Sequence, residues 1–306
     1  MIEGRVVGPW PNTPVISCER PRKTKPAPPS RARTTPGPAP AARRRGTTVA
    51  AAFCAVVSPV FAGSVTQPGE TIGLAAGAPL PEGVYFVNTL NWGVRKGENG
   101  AADVTLGVNI PVLAWATPTT IAGGRLQLLG ALPALEVGVQ DADHDSGLYN
   151  PFLAAQLAWD LGSGFGVSYM LGIYLPVGNK LGFDTTSITQ RAAVSYTAVG
   201  WNLTANGIYG IATDSVSKTT NPGFVNLDLT ATKALGKWSV GPVALASWDV
   251  SKPTSAYKKQ SQFAMGGLVG YGFDQLTVQA YLTSTVSQED YGGNDTRGWG
   301  RVILPF

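Results

Sequence analysis

The single histidine of this 306-residue chain, His144, stands two positions before Ser146. On an extended strand residues two apart share a face, so the imidazole could take the hydroxyl proton and prepare the oxygen for attack on an ester. A third group must orient the imidazole in such a device, and no convincing partner is evident in the sequence. The same stretch, Asp141-Ala142-Asp143-His144-Asp145-Ser146-Gly147, sets carboxylates at alternate positions, as an oxygen-ligand calcium loop does. Such a loop carries Gly at its sixth position and Glu at its twelfth, where this chain has Ser146 and Phe152. A solvated acidic loop is the expectation, with no metal site. Cys18 and Cys54 are the only cysteines, so residues 63–306 offer neither a disulfide nor a thiolate ligand. No catalytic residue, cofactor site or metal site is therefore expected.

The elements that would position these groups divide at residue 62. Residues 1–62 hold ten of the 23 Lys and Arg residues against two acids, Glu3 and Glu19, although the whole chain carries a formal charge of +4. The positive charge belongs to a leader and not to a folded face, which argues against a nucleic-acid partner. Residues 1–42 are rich in Pro, Arg, Thr and Ala and are expected to be disordered, because such a composition buries too little apolar surface to offset ordering entropy. Arg43-Arg44-Arg45 then precedes an apolar run, Thr47 to Ala62, that ends Val60-Phe61-Ala62 before Gly63. This is the pattern of a cleaved secretory signal peptide over 43–62. The run is shorter than the roughly 20 residues of a membrane-spanning helix, and Pro59 interrupts it.

Beyond Gly63 no helical periodicity of useful length is present, and alternation of apolar with small or polar residues dominates. In 164–176, Phe165, Val167, Tyr169, Leu171 and Ile173 take one face, and Gly166, Ser168, Gly172 and Tyr174 the other. Bounding such runs by turn signals predicts twelve strands, near 84–92, 103–116, 123–139, 151–161, 164–177, 189–198, 201–213, 222–235, 237–250, 260–272, 275–286 and 297–306. Tight turns such as Leu161-Gly162-Ser163-Gly164 and Leu235-Gly236-Lys237 alternate with longer polar loops at 141–150, 178–188, 214–221, 251–259 and 287–296. All long loops then emerge at one end, the signature of an antiparallel transmembrane β-barrel. A soluble β-sandwich also alternates polar and apolar residues, but its strands average about five or six residues. Trp92, Trp115, Trp159, Trp201, Trp238, Trp248, Tyr271 and Trp299 fall near predicted strand ends, where interfacial girdles belong. The fold class read from the sequence is all-β: a barrel over 84–306, preceded at 63–83 by a segment that could plug it or trail from it.

Parity assigns Asn109, Gln156, Asp160, Arg191, Asn202, Asn226, Asp228, Asp249, Gln279 and Arg301 to the lumen, together with Thr105, Ser168, Ser195, Asn206, Gln262 and Thr277. Most are neutral. Asp160, Asp228 and Asp249 mix with Arg191 and Arg301, whereas an ion-selective pore displays rings of one sign, so these charges are expected to pair across the lumen. Twelve strands enclose an interior between the filled core of small barrels and the open pore of large ones.

The chain ends Trp299-Gly300-Arg301-Val302-Ile303-Leu304-Pro305-Phe306. The terminal Phe306 with Leu304 and Val302 at alternating positions resembles the last strand recognised by the bacterial barrel-assembly machinery, with Pro305 a departure. Residues 69–92, GETIGLAAGAPLPEGVYFVNTLNW, with DVTLGVNIPVLAWATP (103–118) and YNPFLAAQLAWDLGSGFGVSYMLGIYLPVG (149–178), resemble the family of outer-membrane proteins linked to the meta pathway of phenol degradation. The resemblance implies an outer-membrane channel in contact with lipid, passing small hydrophobic or aromatic compounds by passive or facilitated diffusion. Two alternatives stand beside it. One is a structural or adhesive barrel that transports nothing. The other is a phospholipase, because His144-Asp145-Ser146-Gly147 resembles a shortened His-x-Ser-Asn-Gly signature of a twelve-stranded outer-membrane phospholipase family, without the Asn.

Overall fold

A computed structural model describes residues 63–98, 100–213 and 221–306, so the leader and signal peptide expected over 1–62 lie outside the described residues. Fourteen strands are assigned: β1 Gly83–Arg95, β2 Val104–Ile121, β3 Gly124–Ala131, β4 Ala134–Val139, β5 His144–Leu148, β6 Phe152–Gly162, β7 Phe165–Tyr174, β8 Ser187–Tyr196, β9 Trp201–Ala212, β10 Phe224–Leu235, β11 Trp238–Asp249, β12 Ser261–Gly272, β13 Thr277–Glu289 and β14 Asp295–Pro305. All neighbours are antiparallel, and β1 pairs with both β2 and β14, which closes the sheet. β3 and β4 both pair with β2, and β5 and β6 continue one another beside them, so each couple is a single interrupted wall strand and the barrel has twelve crossings.

Proline causes the interruption. Val112 pairs with Ala131 and Asn109 with Ala134, which leaves Ile110-Pro111 facing Leu132-Pro133. Neither proline has an N–H to donate to a ladder. The chain bridges the gap with Leu132 N–H to the Pro111 carbonyl at 3.3 Å and Tyr149 N–H to the Pro133 carbonyl at 2.8 Å. Above the break β4 and β5 form a hairpin over most of the segment expected to be a polar loop, because β4 needs a partner and the alternating acids suit a strand as well as a turn. At the opposite end the β2–β3 connection is two residues, Ala122 and Gly123, both with positive φ (49° and 78°), as a tight hairpin turn demands.

The outer surface is apolar, with Leu113, Leu171, Met265 and Leu282 exposed. Trp92, Trp115, Trp201, Trp238 and Trp248 are also exposed, whereas Trp299 is buried inside, stacked on Tyr281 at 5.0 Å. Trp299 therefore leaves the predicted girdle, its parity being that of the lumen face. A sheet closed on itself with an apolar exterior is the architecture of an outer-membrane barrel.

Residues 63–82 add no strand to the wall. They fold as successive turns in which the N–H groups of Glu70, Ile72, Leu74 and Ala78 donate to the carbonyls of Gln67, Gly69, Thr71 and Ala75, and Ser64, Val65, Thr66, Gln67 and Ile72 are buried within the barrel.

Candidate functional site

The lumen has two unlike walls with the segment 63–82 between them. Across β8–β14 many inward side chains are polar and bond the segment, beside an apolar cluster in which Val243, Leu245, Ala264, Leu268 and Trp299 pack with Ile72. Asp228 accepts from Gly69 N–H at 2.8 Å, from Thr71 N–H at 3.0 Å and from the Thr71 hydroxyl at 2.7 Å. Asn202 and Gln279 each donate to the Gly73 carbonyl at 3.1 Å, and Thr230 accepts from Gly73 N–H at 2.8 Å. Asn226 donates to the Ser64 hydroxyl and the Thr66 carbonyl, and Asn206 to the Thr71 hydroxyl. Arg301 is 1 % exposed and donates to the carbonyls of Glu70 and Ile72. Ser168 donates to the Ala76 carbonyl at 2.8 Å, which Gln156 approaches at 3.5 Å.

The one ion pair of the segment is Glu70 Oε1 with Arg191 Nη2 at 2.7 Å, both side chains about nine-tenths buried. Arg191 also donates to the Tyr174 hydroxyl at 3.3 Å and lies 4.9 Å above the Phe152 ring. Orienting a guanidinium by a carboxylate, a hydroxyl and an aromatic face satisfies the charge where water is scarce. The expectation that Asp228 and Arg191 pair across the lumen is thereby corrected: the charges turn to the segment, whose backbone donors and Glu70 are nearer than any opposite wall. Asp249, at the long-loop end, accepts from Tyr257 and Gln260.

Three positions assigned to the lumen lie elsewhere. Asn109 pairs with Leu90, which is exposed on the outside, while its neighbours Val108 and Ile110 are buried inward. Thr105 shares its outward parity. The rule that polar residues mark the lumen fails on β2 because the inward face there is apolar. Asp160 has inward parity but sits at the tight-turn rim, exposed, and accepts from Gly162 N–H at 2.8 Å. It caps a turn because the strand ends there.

Between the segment and β1–β7 lies a cavity of about 640 Å³, which Asn202, Asn206, Thr232 and Gln279 of the facing strands also border. Val87, Val108, Ile110, Val112, Ala114, Leu129, Leu135, Phe152 and Met170 line it, and Glu70, Gln156, Arg191 and Tyr174 form its polar edge. A largely apolar pocket with a few convergent polar groups is the usual form of a small-molecule site. The sequence reading missed Glu70, Tyr174 and this apolar wall. Glu70 was findable as the lone acid in residues 63–81, but parity alone did not reveal which face of β2 looks inward.

His144 does have a carboxylate partner: Glu136 Oε1 lies 3.2 Å from His144 Nε2, across the β4–β5 ladder. Both are exposed on the outward parity, opposite to the buried Leu135, and no hydrogen bond joins Ser146 to the imidazole. Asp143 and Asp145 instead accept from the N–H groups of His144 and Ser146. Among the described residues no cluster of His, Cys, Asp and Glu is arranged to hold a metal ion.

The chain is similar to several solved structures. An outer membrane channel from Pseudomonas putida F1 superposes with a TM-score of 0.65 at 16 % identity, covering 79 % of this chain and all of that one, 100 %. The translocator domain of the autotransporter NalP from Neisseria meningitidis gives a TM-score of 0.45 at 11 % identity over 74 % of this chain and 90 % of its own. The CymD monoaromatic hydrocarbon channel gives 0.44 at 8 % identity over 74 % and 89 %. No curated protein matches the sequence. Residues 69–302, from the start of the segment's turns to the last strand, match one sequence family, and the chain belongs to it: the family described as "Putative MetA-pathway of phenol degradation".

Proposed function

We propose that the protein is an outer-membrane channel for small hydrophobic or aromatic compounds, working by passive or facilitated diffusion without covalent chemistry. The observation that carries this reading is the asymmetric lumen: a cavity of about 640 Å³ whose wall is apolar along β1–β7, beside a segment held by the polar wall. An apolar wall offers a neutral ring a favourable transfer out of water, about 25 cal/mol per Å² of apolar surface buried. The polar edge at Arg191 and Tyr174 presents donors to a hydroxyl on such a ring. The segment 63–82 acts as a plug that denies the lumen to ions and hydrophilic solutes. Phe306, exposed at the tight-turn rim with its N–H on the Val84 carbonyl at 2.8 Å, supplies the signal read by the barrel-assembly machinery.

The deciding experiment is uptake of a labelled aromatic solute into liposomes that carry the folded mature chain, measured against protein-free liposomes to subtract passive leak. Saturable excess flux, reduced several-fold by Ile110→Asn in the apolar wall, is the expected result. A properly folded barrel with no excess flux returns the reading to a structural or adhesive barrel.

A further inference from the structure

Asp249 ends β11 at the long-loop end of the lumen and is only 5 % exposed. Its Oδ2 accepts from the Tyr257 hydroxyl at 2.5 Å and from Gln260 N–H at 2.9 Å. Its other oxygen, Oδ1, is buried and accepts from no described residue. A buried carboxylate oxygen without a donor is costly, so the site calls for a cation or an N–H. Lys259 does not supply it, because its ammonium is given to the Val250 carbonyl at 2.7 Å.

Gly63 lies against that oxygen. A Cβ on Gly63 would stand 2.9 Å from Asp249 Oδ1 and 2.0 Å from Cγ of Pro222, so no larger residue fits there. Gly63 is also the residue that follows Val60-Phe61-Ala62, the end of the signal-peptide pattern. Two independent observations, one from sequence and one from packing, thus meet at Gly63.

We propose that hydrolysis of the Ala62–Gly63 bond by a leader peptidase makes Gly63 the mature N-terminus, and that its α-ammonium is the missing partner of Asp249 Oδ1. Water supplies hydroxyl to the Ala62 carbonyl carbon and a proton to the Gly63 nitrogen. The free amine then takes a second proton from solvent and becomes the cation the carboxylate lacks. An uncleaved chain offers only a neutral amide N–H at this point. The segment is then held at both ends, covalently to β1 at Gly83 and ionically at Gly63, whether or not the barrel transports anything.

Two measurements test this. Intact mass and N-terminal sequencing of the protein extracted from outer membranes should find Gly63 first; a retained leader or another first residue overturns the proposal. Folded protein, verified by its heat-shifted gel mobility, is then acetylated at pH 7 and the N-terminal peptide quantified by mass spectrometry. Pairing should raise the amine pKa by at least a unit, so Asp249→Asn should react about tenfold faster than the native protein. Equal rates overturn the contact. If Asp249→Asn does not fold, the native protein is compared with itself in denaturant: about tenfold protection of the Gly63 amine supports the pair, and none refutes it.

Discussion

Glu70 and Arg191 form the most consequential contact of single side chains, since each is the other's charge partner in a nearly dry site. Removing one member of a buried pair leaves the other uncompensated, a loss of about 3–5 kcal/mol. Glu70→Gln is therefore expected to lower the unfolding temperature on semi-native gels and to raise ion conductance in planar bilayers, as the segment loosens; unchanged conductance would show that Asp228 and Arg301 suffice to hold it. Asn109 is the counter-case. Parity put it in the lumen, and it lies outward because its neighbours Val108 and Ile110 face the cavity. Asn109→Leu should leave solute flux unchanged in the liposome assay, whereas a lumen-lining amide would alter it. Residue chemistry was legible in these cases and residue direction was not, since direction depends on the partner strand.

Among the elements, the segment 63–82 is the one whose place the sequence left open between plug and tail. It lacks alternation because it has no ladder to join, and its backbone donors and acceptors are satisfied by side chains of distant strands instead. Gly77 shows how closely it fits: its N–H reaches the Ser195 hydroxyl at 2.9 Å, and a Cβ there would stand 2.6 Å from the Ser195 nitrogen. Gly77→Val should displace this end of the segment and increase single-channel conductance several-fold without changing the strand content seen by circular dichroism. The β1–β2 loop makes a separate prediction. Asp103 accepts from the Lys96 ammonium at 2.5 Å and from Gly97 N–H at 3.0 Å, and the Lys96 bond first, then Gly97, holds its carboxyl below the ordinary value. A depressed acid stabilises the folded form fully above its unfolded value, near 3.9, and loses that contribution as pH falls through the lower folded value. Hydrogen exchange at Gly97 should thus accelerate in acid below about pH 4, relative to the intrinsic rate, and Asp103→Asn should abolish the transition. The β4–β5 hairpin was read as a loop for a related reason: alternating acids serve a solvent-exposed strand and a turn equally well.

At the scale of the whole molecule, closure of the sheet decides where each surface lies. Every lipid-facing position pays for polarity according to depth, and Leu171, exposed near the middle of β7, tests this. Leu171→Arg should reduce the folding free energy in liposomes by about 2–4 kcal/mol, read from urea titrations; a negligible change would place Leu171 away from the bilayer centre. Closure also brings β1–β7 and β8–β14 face to face, so that a largely apolar wall and one richer in polar side chains share one lumen. That division is invisible in composition, because each strand separately looks like an ordinary alternating strand.

The sequence by itself determined the fold class, the twelve wall strands and the gathering of the long loops at one end, because period-two alternation and the rhythm of short and long connections are local properties of the chain. Parity also pointed to polar side chains such as Arg191, Asp228, Asn226, Gln279 and Arg301, which are buried, and it passed over others that are buried as deeply, Thr89, Asn91, Gln127 and Arg297 among them. Only the tertiary structure decided what those groups hold. Alternation defines two faces of a strand but does not say which one is wet, and it says nothing about an irregular segment whose partners lie more than a hundred residues away. Gly69 meets Asp228 and Glu70 meets Arg191 only once the sheet has closed around them.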